Sequence, residues 1–498
     1  MLALLSIAGG CTDGERELAA PTTSNSGAGG SSTGSTTTSA ASTGNTTNTV
    51  SSASTTGAST TSTSTTSTST TGTSTTGGSV GPAFELYGAP LLFSPTAQGF
   101  GLSAVLRAGD PARLEASVRE EGEETWGKLQ AAEARAADLA QWQFEGLKAG
   151  TRYEYQIVAP AEEGSEDETQ VLYEGQLTTA RPEGEAFSFA LLTDSHIGAY
   201  LEFGNQGDET KLAAIGAEIG AVSPDFMVNL GDLLDFHQYA FNGPPPSGEI
   251  ARLAYLNYRS SLGDSIGRVP HYTVIGNWEG ENGDHSAEAI MWSREQRMLY
   301  MPGPKPSTYP QGGSPFEDYY AFTWGDALFV VLNVMTYTPT SHLLGAYPGL
   351  PDDWTLGEEQ LAWLTSTLEN ATSKWRFLMI HHAVGGAAGN DVDSAYGRGG
   401  GQAAQVGEQA VVHQLMLDHG VQIFFYGHDH VFTDMVVDGI HYTLPGRAGA
   451  IWAFDTEYTG YTTYWTDFGW AQVDVSPESV DVKFLAIGGN VLYEYSIQ

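Results

Sequence analysis

Metal-binding side chains follow five short apolar runs in the part of the sequence after residue 185. The motifs, in chain order, are Asp-x-His, Gly-Asp, Gly-Asn, His-His and Gly-His-x-His. The candidate ligands in them are Asp194, His196, Asp232, Asn277, His381, His428 and His430. Each motif alone is common, but all five in this order, each directly after an apolar run, predict a metal centre. Imidazole and carboxylate ligands suit iron, zinc and manganese.

Alternating strand and helix patterns would position these motifs. Buried strands are predicted at 187–192, 226–230, 272–275, 376–380 and 423–426, each ending where a motif begins. Between the first two, apolar residues recur at helical spacing from Leu212 to Val222, and the pattern stops at Pro224. Residues 183–498 are therefore expected to form an α/β domain whose chemistry lies at the carboxyl ends of its strands.

The composition narrows the class of partners. The 498 residues include 21 basic and 59 acidic side chains, which gives a formal net charge of −38. A field of that sign repels phosphate backbones, so no nucleic-acid partner is expected. Cys11 is the only cysteine, which excludes an intramolecular disulfide and a thiolate zinc cage. Any metal must therefore be held by His, Asp and Asn.

Residues 1–82 predict export and a flexible tether. Residues 1–11 form a short apolar run ending in small residues before Cys11, and they resemble a lipoprotein-type signal peptide with its lipobox. No Lys or Arg precedes Cys11, which departs from that pattern, so a cysteine placed there by chance is the alternative. Residues 12–82 are rich in Ser, Thr and Gly and predict a disordered linker. We expect an exported bacterial lipoprotein, at the cell surface or in the periplasm, tethered to a membrane through lipid on Cys11.

Residues 83–182 show the alternation of half-buried strands and predict a small β-sandwich. The segment from Phe144 to Tyr155 looks like the turn and tyrosine corner of a fibronectin type III module, in which a Tyr hydroxyl bonds back to the chain. These residues contain no cluster of titratable side chains. A packing or spacer role is therefore favoured over a binding role.

The order of the motifs and their flanks resemble the calcineurin-like metallophosphoesterase superfamily, and the sandwich before them resembles its purple acid phosphatase branch. The resemblance covers nearly all of the chain from Ala83 to Gln498. It implies a four-layer α/β/β/α fold for residues 183–498, after an all-β fibronectin type III-like sandwich. It also implies phosphoester hydrolysis at two metal ions, which would be iron, zinc or manganese, with a hydroxide between them as the nucleophile.

The same resemblance divides the ligands between the two metals. Asp194, His196 and His430 would hold one metal, Asn277, His381 and His428 would hold the second, and Asp232 would bridge them. Asp232 and Asn277 are also expected to take part in catalysis.

Two positions depart from the family pattern. Asp235 stands where purple acid phosphatases carry a metal-binding tyrosine, and we expect it to accept hydrogen bonds beside the metals or to contact one of them. Trp278 stands where relatives carry the histidine that protonates the leaving oxygen, and an indole N–H cannot transfer its proton at any useful pH. Either another histidine replaces it, with His382, His237 and His285 as candidates, or the site favours esters with good leaving groups.

These observations predict a surface-tethered phosphatase or phosphodiesterase, acid phosphatase-like, that acts on a small-molecule phosphoester. The first alternative is a non-catalytic protein that keeps its metals and captures a phosphorylated ligand, and Trp278 is its main support. The second is an adhesive surface protein in which the sandwich carries the function. The acidic surface would disfavour a highly anionic substrate unless basic groups such as Arg294, Arg297 or Arg398 line the mouth of the site.

Overall fold

The computed structural model describes residues 84–160, 169–199, 207–236, 247–283, 285–338, 355–382, 408–452, 461 and 463–498. They belong to one compact unit that spans Gly77–Gln498. The predictions for the lipobox at Cys11, for the linker and for His237 fall outside the described residues. No helix within these ranges combines the length and the apolar character needed to cross a bilayer.

Among the described residues, nine strands lie before residue 182. They are β1 (Glu85–Leu86), β2 (Leu91–Phe93), β3 (Gly99–Ala108), β4 (Glu115–Glu120), β5 (Gln130–Ala131), β6 (Glu133–Ala136), β7 (Leu139–Glu145), β8 (Arg152–Ala159) and β9 (Gln170–Thr178).

Twelve further strands follow. They are β10 (Phe187–Leu192), β11 (Phe226–Asn229), β12 (His271–Thr273), β13 (Tyr320–Trp324), β14 (Ala327–Val331), β15 (Trp375–Met379), β16 (Ile423–Phe425), β17 (Phe432–Val437), β18 (Ile440–Pro445), β19 (Gly469–Val475), β20 (Val480–Ala486) and β21 (Asn490–Ile497). The α-helices are α1 (Glu209–Val222), α2 (Gly248–Ser261), α3 (Ala287–Tyr300), α4 (Gly357–Glu369) and α5 (Glu408–Asp418). This mixed α/β composition agrees with the fold class expected for residues 183–498.

Two large sheets pack face to face. The first has the order β21-β20-β19-β10-β11-β12-β2-β3-β7-β6, and the second has the order β13-β14-β15-β16-β18-β17. β10, β11 and β12 run parallel to one another, as do β14, β15 and β16. The core between the sheets is rich in aromatic rings. The ring centroid of Phe189 lies 5.2 Å from that of Phe226 and 5.2 Å from that of Phe329. Aromatic side chains of this size bury a large apolar area in few residues.

Helices cover the outer faces of both sheets. α1 and α2 pack on the first sheet, where Leu212 and Ile215 of α1 share a buried cluster with Leu192 of β10. α4 and α5 pack on the second sheet, where Leu364 and Met416 share another with side chains of β14 to β16. The sequence therefore produces helix, sheet, sheet and helix layers, because each strand alternates inward and outward apolar side chains.

The N-terminal strands form a β-sandwich that shares one sheet with the rest of the molecule. β2, β3, β7 and β6 pack on the four-stranded sheet β5-β4-β8-β9. Phe93 of β2 pairs with His271 of β12, so the first sheet continues across residue 182. The backbone N–H of Lys148 donates to the hydroxyl of Tyr153 at 3.0 Å, as in a tyrosine corner. A specific likeness to fibronectin type III, and a domain boundary at residue 182, remain predictions.

Candidate metal centre

The seven predicted ligands meet at one edge of the two sheets. Asp194 and His196 follow β10, Asp232 follows β11, and Asn277 lies four residues after β12. His381 follows β15 of the second sheet, and His428 and His430 follow β16. Because parallel strands end at the same edge, the two sheets deliver all seven side chains to one place. Each of these side chains is nearly or fully buried.

One group of ligands surrounds His196. Its Nε2 lies 3.2 Å from Nε2 of His430, 3.5 Å from Oδ2 of Asp232 and 3.8 Å from Oδ1 of Asp194. Nε2 of His430 lies 3.2 Å from the same Asp194 oxygen. These four side chains each offer one ligand atom within 4.8 Å of the others, so they can hold one metal ion.

A second group surrounds His381. Its Nε2 lies 3.1 Å from Oδ2 of Asp232 and 3.2 Å from Oδ1 of Asn277. Nδ1 of His428 lies 3.1 Å from the same Asn277 oxygen. One oxygen of Asp232 therefore faces His196 of the first group and His381 of the second.

Hydrogen bonds to backbone carbonyls fix the direction of two imidazoles. Nδ1 of His381 donates to the carbonyl of Leu230 at 2.8 Å, and Nδ1 of His430 donates to the carbonyl of Trp452 at 2.9 Å. This assignment leaves Nε2 of each ring directed into the centre. Histidines that bind metals are commonly oriented in this way through their other nitrogen.

The two aspartates are held through one oxygen each. Oδ2 of Asp194 accepts from the hydroxyl of Thr193 at 2.7 Å and from the backbone N–H of His428 at 3.0 Å. Oδ1 of Asp232 accepts from the backbone N–H of Trp278 at 2.8 Å. The second oxygen of each carboxylate faces the imidazoles, and Oδ1 of Asp194 accepts no hydrogen bond from any described residue. This arrangement fits a cation, because acceptor atoms that face one another repel unless a positive charge lies between them.

The amide of Asn277 fits the same interpretation. Its oxygen faces Nε2 of His381, Nδ1 of His428 and Oδ2 of Asp232, the last at 3.3 Å. Turning the amide over would let its nitrogen donate to these atoms and its oxygen accept from Nε1 of Trp278 at 3.1 Å. With a cation at the centre, the orientation that directs oxygen inward supplies a ligand.

The loops that carry the ligands adopt unusual backbone conformations. Asp194, His196, Asp232, His428 and His430 all have a positive φ, between 50° and 82°. That region is unfavourable for residues with a side chain, and such strain concentrates at functional sites. The ligand loops are therefore held in place by the rest of the structure, which favours a preformed site.

Glycines permit the close approach of the ligand loops. A Cβ on Gly427 would lie 2.3 Å from Oγ1 of Thr193 and 2.9 Å from Nδ1 of His381. A Cβ on Gly276 would lie 2.2 Å from Oδ1 of Asp232. The glycine in each Gly-Asn and Gly-His motif is therefore required by packing around the ligands.

Glu279 ties two of these loops together. Its buried carboxylate accepts from the backbone N–H groups of Leu233 and Gly276, both at 2.6 Å, and of Asp232 at 3.2 Å. Burial, and then the charge of Asp232, raise the pKa of Glu279 to about 8, while the backbone donors oppose this rise. This role was not predicted from the sequence, although Glu279 stands two residues after Asn277 in the same motif.

Burial and charge act in opposite directions on the ligands. Burial alone would raise the pKa of Asp194, but the imidazoles of His430 and His196 hold it far below its ordinary range. Burial alone would lower the pKa of His381, but Asp232 and Asp194 raise it to about 9. For His196 burial prevails, and its pKa is lowered. A cation beside Nε2 of His381 would supply the positive charge that the carboxylates otherwise take from a proton.

Three further predicted residues lie near these loops. The ring of His382 lies 3.7 Å from that of His428, and with His381 these residues form a second cluster that could hold a metal ion. Asp235 is buried beside Asp232; burial, and then that charge, raise its pKa well above the ordinary value. Neither oxygen of Asp235 has a hydrogen-bond partner among the described residues. His285 lies before α3, with Nδ1 at 3.3 Å from the carbonyl of Gly280.

Of the three arginines that could line the mouth, Arg294 and Arg297 have other partners, and Arg398 lies outside the described residues. Arg297 is buried and donates to both oxygens of Glu281, at 2.6 and 3.3 Å. Arg294 is buried and pairs with Asp318 at 3.1 Å. Both arginines therefore anchor the segment after Asn277 instead of facing a substrate.

Comparisons with known proteins agree with this geometry. Residues 187–432 match the family model described as "Calcineurin-like phosphoesterase". A solved structure described as "Structure of PhoD" is 15% identical, with a TM-score of 0.61, and the alignment covers 82% of this chain and 90% of that chain. At this identity the likeness concerns the fold alone.

Two more distant structures have lower scores. GAP50 from Plasmodium is 16% identical over 63% of this chain and 89% of that chain, with a TM-score of 0.37. Vps29 complexed with Zn²⁺ from Entamoeba histolytica is 10% identical over 62% of this chain and 98% of that chain, with a TM-score of 0.26. No curated protein matches the sequence. Residues 187–432 therefore match the calcineurin-like phosphoesterase family model, and the Asp and His clusters able to hold metal ions lie within this region.

Proposed function

We propose that the protein hydrolyses phosphoesters at a centre of two metal ions. The observation that carries this proposal is the position of Asp232 Oδ2, which lies 3.5 Å from Nε2 of His196 and 3.1 Å from Nε2 of His381. A carboxylate shared by two ligand groups is the arrangement that two-metal hydrolases use. Iron, zinc and manganese all suit a site of imidazole, carboxylate and amide ligands.

The chain's own residues keep this centre ready for reaction. Asp194, His196 and His430 would hold one metal, and Asn277, His381 and His428 the other. Two metals bound here would lower the pKa of a water and neutralise charge on the phosphoryl oxygens. The carbonyls of Leu230 and Trp452 hold two of the imidazoles in the orientation that binding requires. Binding would therefore need little rearrangement of the ligands.

Trp278 would restrict the reaction to esters with good leaving groups. Its backbone N–H is committed to Asp232, and its indole N–H donates hydrogen bonds but does not transfer a proton at neutral pH. Loss of a general acid typically costs a factor of about 10² to 10⁴ in rate. Esters of weakly basic alcohols lose least, because their oxygen leaves without a proton. Replacement of the acid by His382 or His237 remains a prediction.

The second candidate is a metal-containing protein that binds a phosphorylated ligand without hydrolysing it. Trp278 in place of the usual acid favours this alternative. The complete set of seven ligands favours catalysis, since neutral drift would remove ligands as readily as the acid. An adhesive role for the sandwich is less favoured, because its strands continue into the sheet that carries Asp232.

The lipid anchor, the linker and the membership of a particular phosphatase branch are proposed on the sequence alone. Lipid on Cys11 would tether the protein to a bacterial membrane, which a mass measurement of its N-terminal peptide would test. Residues 12–82 would act as the linker. Membership of the purple acid phosphatase branch is supported by the sandwich before the metal motifs, while Asp235 in place of the tyrosine predicts no tyrosinate absorption band.

The test compares three substrates on the full chain loaded in turn with manganese, zinc and iron. An aryl phosphomonoester and an aryl phosphodiester should be hydrolysed, and an alkyl phosphomonoester should react about a hundredfold more slowly. Asp232→Asn should abolish activity, while Asp418→Asn, an exposed aspartate on α5, should not change it. Bound metal without hydrolysis of any ester would favour the binding protein. Equal aryl and alkyl rates would show that another residue supplies the proton.

A further inference from the structure

Two indoles border the metal centre on the side of His196. The ring of Trp278 lies 5.2 Å from the ring of His196, edge to face. The ring of Trp452 lies 4.8 Å from His196 and 4.8 Å from His430. The two indoles are 6.3 Å apart with their planes at 61°. They come from different loops, one after β12 and the other after β18, so their meeting is a property of the fold.

Both indoles stand between the buried ligands and solvent. His196 is fully buried and His430 is 1% exposed, whereas Trp278 and Trp452 are half-buried. Ile451, next to Trp452, is 62% exposed. The described part of this mouth is therefore apolar and aromatic.

Basic side chains near this mouth have other partners. Arg447 stacks on Phe468 at 4.2 Å and donates to the carbonyls of Ala450 and Thr466. Arg294 and Arg297 are buried in ion pairs with Glu281. Among the described residues, the surface beside His196 therefore suits an uncharged flat group better than a polyanion.

We propose that Trp278 and Trp452 bind the aromatic ring of the leaving group, so that the substrates are aryl phosphoesters. This inference rests on the proposed function and adds the class of substrate. Indole faces stack on flat rings at offset or edge-to-face geometry, with a gain beyond the area that they bury. Trp278 stands where relatives carry the general acid, and it thus supplies a contact for an aryl group in place of a proton donor.

Trp278 has two consequences, the missing general acid and the stacking contact, and both favour an aryl leaving group. In the reaction the water oxygen forms a new bond to phosphorus, one proton of that water passes to solvent, and the bond between phosphorus and the aryl oxygen breaks. The aryl oxide leaves with the bonding electron pair and takes its proton from solvent. Because an aryl oxide is weakly basic, this step needs no acid from the protein. An alkyl ester would lack both the stacking contact and the stable anion.

The test measures binding of two unreactive probes, phenylphosphonate and methylphosphonate, to the manganese-loaded full chain by titration calorimetry. We expect phenylphosphonate to bind at least about tenfold more tightly. Trp452→Leu should reduce that ratio to about threefold or less, and Trp452→Phe, which keeps a flat ring, should restore most of it. Trp126→Leu is the matched control, because Trp126 packs under Arg119 in the sandwich at 4.2 Å.

The outcomes separate this inference from the proposed function. Equal binding of the two probes, or an unchanged ratio in Trp452→Leu, would overturn the inference, and hydrolysis of any ester would still support the function. If neither probe binds and no ester is hydrolysed, the proposed function fails and the inference fails with it. If the affinity ratio of phenylphosphonate to methylphosphonate falls in Trp452→Leu and returns in Trp452→Phe, the result would support an aryl-binding contact at Trp452 beside a phosphoryl-binding centre.

Discussion

Replacing His271 by glutamine should remove part of the acid sensitivity of folding. His271 is 3% exposed on β12, with Nε2 at 2.8 Å from the hydroxyl of Tyr258. Burial, and then the charge of Arg259, lower its pKa to about 3. The unfolded chain binds this proton near pH 6.5, so between pH 6.5 and about 3 the unfolded state holds more protons than the folded state. The contribution of His271 to the free energy of unfolding is therefore fully present above pH 6.5, and it is lost as the pH falls through this window.

The size of the effect follows from these two pKa values. At pH 5 the unfolded state gains about 2 kcal/mol from protonation of this one histidine, and the loss is about 4 kcal/mol near pH 3. Glutamine cannot take up the proton, so the variant should lack this loss. It should still be less stable at pH 7.5, because the hydroxyl of Tyr258 loses a buried partner.

Urea unfolding of both proteins in a chelating buffer, at pH 7.5 and pH 5.0, measures the effect. The difference in the free energy of unfolding between native protein and His271→Gln should shrink by about 2 kcal/mol at the lower pH. His419→Gln, a partly exposed histidine after α5, is the control. An equal difference at both pH values would refute the reasoning, since it would mean that burial does not hold His271 neutral.

Three other predictions concern the loops of the candidate metal centre and the sheet shared with the sandwich. Glu281→Gln leaves the buried Arg297 without its charge partner and should lower the free energy of unfolding by about 3–5 kcal/mol in urea, whereas the exposed Glu174→Gln should change it little. Gly427→Ala forces a Cβ to within 2.9 Å of Nδ1 of His381 and should weaken metal binding about 10- to 100-fold in a chelator competition; undiminished affinity would contradict the packing argument. Deletion of residues 84–182 strips β2 from β12, so the remaining chain should lose cooperative thermal unfolding by circular dichroism; an unchanged midpoint would contradict the shared sheet.

The convergence of the seven candidate ligands could be predicted because it depends on local pattern. Apolar runs followed by Asp232, His381 or His428 predict strand ends, and parallel strands bring their carboxyl ends together. The order of the motifs resembles that of the metallophosphoesterase superfamily, and this resemblance implied how the candidate ligands divide between two metals. The helix α1 was also predictable, since apolar residues from Leu212 to Val222 recur at helical spacing before Pro224.

Other features depend on contacts between distant parts of the chain. Trp452 reaches the centre from a loop after β18, and nothing in its sequence context marks it as a neighbour of His196. The first sheet continues from β12 into β2 through a single residue pair, His271 with Phe93, and these strands lie nearly 180 positions apart. Arg297 lies at helical spacing beside Arg294, and the sequence did not indicate that a buried glutamate would take its charge. Such pairings follow from the packing of whole layers and leave little local signal.

The central claim, a centre in which Asp232 joins two metals, is tested most directly by counting bound metal. The full chain is loaded with excess manganese, desalted and analysed by mass spectrometry for metal per chain, beside Asp232→Asn and the exposed Asp418→Asn. We predict about two ions per chain for the native protein and for Asp418→Asn, and one or fewer for Asp232→Asn. A native protein that holds one ion or none, or an Asp232→Asn variant that still holds two, would contradict the account.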